Sequence, residues 1–163
     1  MKKILLCSIC MIFTLLVFTG CKNKKEEKIE DVKPTGNITY FSFNSGGGWA
    51  GVTYKIDKND DNKYVMEVNY YGYDSPNFNF EVTEKELKEI ANIIEKNEIY
   101  KWDGFDKSDP DVLDGDGFSL YVTYDSNDKI KAHGYMKYPK NYSKGANALK
   151  EYLDGLIETL AIK

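Results

Sequence analysis

The chain has 163 residues, 42% of them hydrophobic and 29% charged, an ordinary globular composition that excludes a disordered chain. The length fits one domain with short appendages. The net charge is −4, so nucleic acid is not an expected partner. All 22 basic residues are lysine, which removes the guanidinium forks best suited to binding carboxylate or phosphate bidentately.

Lys2 and Lys3 precede a nearly unbroken apolar run from Ile4 to Phe18, interrupted only by Ser8 and Thr14, and Thr19-Gly20-Cys21 follows. A charged start, an apolar centre and a small-residue exit are the parts of an export signal. The run is shorter than the roughly 20 residues of a membrane span. Its end resembles the bacterial lipobox, in which a signal peptidase cuts before a cysteine whose thiol carries a diacylglyceryl group. Gly20 and Cys21 match that pattern, Thr19 is tolerated, and Phe18 departs from the usual leucine. The resemblance implies a lipoprotein: a signal peptide over residues 1–20, lipid attachment at Cys21 (palmitate, N-acyl diglyceride cysteine), and a place on the extracytoplasmic face of the cell membrane. Left uncleaved, the same segment would act as a signal anchor and tether the domain on the same side. Two acyl chains hold stably because each buried methylene contributes about 0.8 kcal/mol. The three cysteines are Cys7, Cys10 and Cys21. The first two leave with the signal, so the domain is expected to have neither a disulfide nor a thiolate metal site.

Residues 21–36 contain five Lys and four acids and almost no apolar side chain. They read as a flexible tether with a reach of about 20 Å. Residues 37–163 form the expected single globular domain, with a net charge of −7.

Within the domain, Ile38 to Phe43 reads as a strand that Gly46-Gly47-Gly48 breaks. Val52, Tyr54 and Ile56 then alternate with Thr53 and Lys55, and Tyr64, Met66, Val68 and Tyr70 alternate with polar neighbours. Phe78, Phe80 and Val82 do the same, and the short links between these runs predict an antiparallel meander. Thr83 and Glu86 form a capping box, with Val82 and Leu87 as a hydrophobic staple. Leu87, Ile90, Ala91 and Ile94 give the apolar stripe of a helix ending near Asn97. An irregular acidic stretch follows. A second hairpin carries Phe118, Leu120, Val122 and Tyr124, then Ile130, Ala132 and Gly134. Asn141 or Ser143 caps a last helix with Ala146, Leu149, Leu153, Leu156, Ile157 and Leu160 on one side. The expected fold class is α+β: an antiparallel sheet of about six strands with two helices packed on one face. The uncovered face would be polar and aromatic.

The residues provide no recognisable catalytic set. His133 is the one histidine, placed on the non-core side of a strand. The glycine run after Ser45 lacks the Gly-Lys-Ser/Thr of a phosphate loop and reads as a hairpin loop. Between Asp103 and Asp116 lie six Asp and one Lys. Asp109, Asp111, Asp114 and Asp116 are weak candidates for Ca²⁺, which takes six to eight oxygens as a rule, although their spacing is not that of an EF-hand. The alternative is a solvated loop whose aspartates cap turns, with no metal and no cofactor beyond the covalent lipid. Trp49, Trp102, Tyr121 and His133 are candidate ligand-binding residues, since aromatic rings stack on sugars; the same rings serve equally as strand and core fillers.

Lys101-Trp102-Asp103-Gly104-Phe105, Asp114-Gly115-Asp116-Gly117-Phe118-Ser119-Leu120 and Tyr138-Pro139-Lys140-Asn141-Tyr142 together give a stretch similar to small uncharacterised membrane lipoproteins of Gram-positive bacteria that carry a domain of unknown function. That resemblance implies no activity. The expectation is a lipid-anchored, non-enzymatic binding or interaction module at the cell surface. Its partner would be a protein, a peptide or a cell-wall component, met through the open sheet face and nearby loops. The alternative is an extracytoplasmic hydrolase acting on wall glycan or peptide through paired acidic residues.

Overall fold

The computed structural model describes residues 32–47, 50–72 and 76–162; the signal segment, Cys21 and Trp49 lie outside them. Residues 31–163 make up one compact unit of the chain. Its elements are β1 (Ile38–Gly47), β2 (Gly51–Lys58), β3 (Tyr64–Tyr71), β4 (Asn77–Glu81), α1 (Glu84–Lys96), a short 3-10 helix (Ile99–Trp102), β5 (Asp106–Ser108), β6 (Asp116–Tyr124), β7 (Lys129–Tyr135) and α2 (Tyr142–Ala161). The strands form one seven-stranded sheet in the order β4-β3-β2-β1-β6-β7-β5.

The α+β class and the two helices agree with the sequence reading, but the sheet is mixed. β5 runs parallel to β7, pairing Asp106 with His133 and Ser108 with Tyr135. It is three residues long with every side chain exposed, so backbone hydrogen bonds make it a strand and no hydrophobic alternation marks it. β1 also runs through Gly46 and Gly47, which pair with Gly117 and Asp116 of β6; the turn itself begins where Gly47 N–H donates to Ala50 C=O.

The alternation fixes which side is covered. Phe41, Phe43, Tyr54, Ile56, Met66, Val68, Leu120, Val122 and Ile130 are buried and share one core with Leu87, Ile90 and Ile94 of α1 and Ala146, Leu149 and Leu153 of α2. Burying each Leu or Ile contributes about 1.5–3 kcal/mol. The register of β1 against β6 shifts between Ile38 and Tyr40. That irregularity lets Ile38 and Phe41, three residues apart, both face the core. On the opposite side, Tyr40 meets Tyr121 edge-on at 5.6 Å, and the surface is half-buried or exposed.

α1 begins as its sequence dictates: the Thr83 side chain accepts from Lys85 N–H, and Glu86 reaches back to Thr83 N–H at 2.8 Å. α2 begins differently. Asn141 occupies the cap with φ of 61° and makes no side-chain capping bond, and Ser143 lies inside the helix, so neither side chain caps it. What positions α2 is close packing: a Cβ on Gly145 would lie 2.7 Å from Trp102 Cζ2 and 2.9 Å from Ile99 Cγ1. Only glycine lets the helix approach the 3-10 turn this nearly.

Of the residues expected to form the tether, 32–36 are among those described. Residues 32–37 form a strap held by the β6–β7 turn. Thr35 N–H and Oγ1 donate to Asp128 Oδ2 at 2.8 and 3.0 Å, and Asn37 N–H and Nδ2 donate to Asp125 at 2.9 and 3.0 Å. Ser126 Oγ donates to Thr35 C=O at 2.7 Å. Gly36 has φ of +83°, and a Cβ there would run into the Asp125 carboxylate. The bond from the Asn37 side chain holds the Asp125 carboxyl below its ordinary value of 3.8, and the Thr35 N–H does the same for Asp128. A carboxyl that ionises more readily when folded stabilises the strap above about pH 3.8 and loses hold as pH falls through its depressed value. The downfield amide resonances of Thr35 and Asn37 are therefore expected to collapse on acidification below pH 3.8, and Asp125→Asn with Asp128→Asn is expected to collapse them at neutral pH. Resonances that hold at acid pH and in the double variant would show the strap is secured otherwise.

Candidate functional site

The sequence placed a ligand surface on the open sheet face. A cavity of about 800 Å³ also opens at one end of the covered side. Its walls are the β1–β2 hairpin (Ser45, Gly46, Ala50, Gly51, Val52), the start of β6 (Asp116, Gly117), and the face of α2 carrying Lys150, Asp154, Ile157 and Glu158. Tyr54, Tyr70, Tyr138 and Tyr142 complete it. The spacing of Lys150, Asp154 and Glu158 is four residues, so consecutive helical turns present them along one wall.

Tyr54 is fully buried, and its hydroxyl donates to Asp154 Oδ1 at 2.6 Å, a short charge-assisted bond. Burial first, and then that bond, push the Tyr54 phenol far above its ordinary range. Burial and the same carboxylate raise Tyr70. Across the cleft, Tyr138 Oη donates to Asp116 C=O at 3.0 Å. Its ring stacks on Tyr142 at 4.6 Å, and Tyr142 packs on Phe118 at 4.5 Å. Burial raises the Tyr142 phenol, opposed by its bond to the Ser45 side chain. The cleft is thus a set of un-ionised phenols between two carboxylate-bearing walls.

The residues singled out from sequence are scattered. Trp102 is 1% exposed, with its ring edge-on to Phe118 at 5.8 Å and tilted against Tyr142 at 5.4 Å. It is a core residue and offers no ring face to a ligand. Tyr121 and His133 lie on the open face, opposite Lys131 and Ser119 respectively. His133 Nδ1 is 3.3 Å from Asp106 Oδ1, both side chains being largely exposed. Trp49 lies outside the described residues. The four loop aspartates do not converge: Asp109 pairs with Lys137 Nζ at 2.7 Å, and among the described residues no three His, Cys, Asp or Glu side chains are close enough to share a metal. Among the described residues, the carboxyls displaced from their ordinary titration, Glu86, Glu98, Asp109, Asp125 and Asp128, are displaced downward, and none lines the cleft.

Sequence reasoning missed Tyr54, Tyr70, Asp154 and Glu158. The available signal was an acidic pair, Asp154 and Glu158, interleaved with the apolar stripe of α2. A charged side chain next to Leu153 and Ile157 marks where the helix face leaves the core. Among the described residues no helix is long and apolar enough to cross a membrane. No protein-family model matches the chain, and no curated protein matches it.

Proposed function

We propose that the chain is a lipoprotein held through acylated Cys21 on the extracytoplasmic face of the cell membrane, and that its domain is a non-enzymatic binding module for a peptide or wall component. The observation that carries the binding half is the tyrosine-lined cleft, about 800 Å³, within the size range of small-ligand sites. The anchoring half rests on Lys2-Lys3, the apolar run and the Gly20-Cys21 junction. The second reading, a hydrolase working through acidic residues, would need one carboxyl kept protonated at neutral pH.

Cells fed an alkyne-bearing palmitate analogue test the anchor. Wild-type chain is expected to take up the label and sediment with membranes, and Cys21→Ala to take up none. An unlabelled wild-type chain, or label surviving in Cys21→Ala, would remove the lipoprotein reading.

A further inference from the structure

We propose that the cleft takes a primary ammonium group on an alkyl stem, the lysine-type side chain of a peptide. The inference rests on the binding-module reading and adds the ligand's chemistry.

Charge selects the sign. The cavity lining carries Asp116, Asp154 and Glu158 with Lys150, three negative charges against one positive, so a phosphate- or carboxylate-bearing polymer meets net repulsion while a cation is drawn in. Among the described residues the carboxylates of Asp116 and Glu158 make no hydrogen bond or ion pair. Asp154 uses Oδ1 for the buried Tyr54 hydroxyl, which fixes the carboxylate's orientation and leaves Oδ2 for an incoming N–H.

Shape and polarity select the stem. The rings of Tyr70, Tyr138 and Tyr142, which unlike Tyr54 are not fully buried, present a negative quadrupole that attracts an ammonium group, and Ile157 gives apolar wall for methylenes. A bare metal ion has no use for the rings, and among the described residues no three His, Cys, Asp or Glu side chains gather to hold one. A neutral sugar would use the rings and leave the excess carboxylate charge uncompensated. A single ammonium on a short chain uses both features together.

The test is calorimetric titration and amide-resonance mapping of the full acylated chain in neutral detergent, with Nα-acetyl-lysine methylamide as probe. It is expected to bind and to shift the Gly51 and Gly117 amides, to weaken at high salt, and to bind at least about ten-fold better than its Nε-acetylated form. Asp154→Asn is expected to weaken it about ten-fold. Glu158→Gln, an exposed substitution that leaves the core untouched, is expected to weaken it several-fold. Equal binding of the Nε-acetylated probe, shifts confined to residues outside the cleft, or no binding at about 10 mM would overturn the proposal. Chitotriose shifting Gly51 and Gly117 where the lysine probe does not would overturn the ligand class and leave the binding module standing; silence from both probes would remove the cleft from the binding reading as well.

Discussion

Replacing Trp102 with alanine is expected to lower the unfolding free energy by about 3–5 kcal/mol, read as a large drop in the urea midpoint. The indole is 1% exposed, and its ring packs against Phe118 and Tyr142 while Gly145 of α2 closes over its six-membered edge. Its Nε1–H donates to Lys140 C=O at 3.3 Å, so truncation leaves both a cavity and an acceptor without its donor. A domain of this size holds about 5–15 kcal/mol in total. It has no cysteine between residues 37 and 163, so no disulfide offsets the loss. Trp102→Phe keeps most of the ring contact, forfeits the hydrogen bond, and is expected to cost less than half as much. A Trp102→Ala loss below about 1 kcal/mol would mean that the aromatic stack does not couple α2 to the sheet.

Raising the pH above 10 is expected to unfold the domain. Burial pushes the Tyr124 phenol up to about 12, and burial with the Asp154 bond carries Tyr54 further in the same direction. Below pH 10 both phenols are protonated folded or unfolded, and their contribution is constant. Above it the unfolded chain ionises while the folded chain does not, so stability falls as pH rises through the folded-state values. Each such tyrosine steepens the fall by about 1.4 kcal/mol per pH unit. Urea midpoints should therefore be flat from neutrality to about pH 9 and decline sharply above pH 10, with tyrosinate absorbance rising together with the loss of helix signal. Tyr124→Phe is expected to make the decline shallower. Phenols that ionise one by one while the helix signal persists would contradict the burial of Tyr54 and Tyr124.

Much of this architecture was legible because it follows local rules. The alternation of Val52, Tyr54 and Ile56 named the covered side of β2, and Thr83 with Glu86 marked the start of α1 to the residue. β5 was invisible because its three residues bury nothing. The strap was invisible because Thr35 and Asn37 look like linker until the β6–β7 turn, about ninety residues on, supplies Asp125 and Asp128. The cleft was hidden for the same reason. Tyr54 and Asp154 are 100 positions apart, and nothing local says that a tyrosine in a core-facing alternation ends on a carboxylate. Trp102 misled in the opposite sense, since its motif is equally suited to a ring on display and a ring in the core.

The strap enters β1 at Ile38, while the cleft lies at that strand's far end, beside Ser45 and Gly46. β1 is bonded on both sides, to β2 and to β6. A pull applied along β1 from its amino-terminal end would load two ladders in shear, many hydrogen bonds yielding together. An edge strand such as β4 would peel away one bond after another.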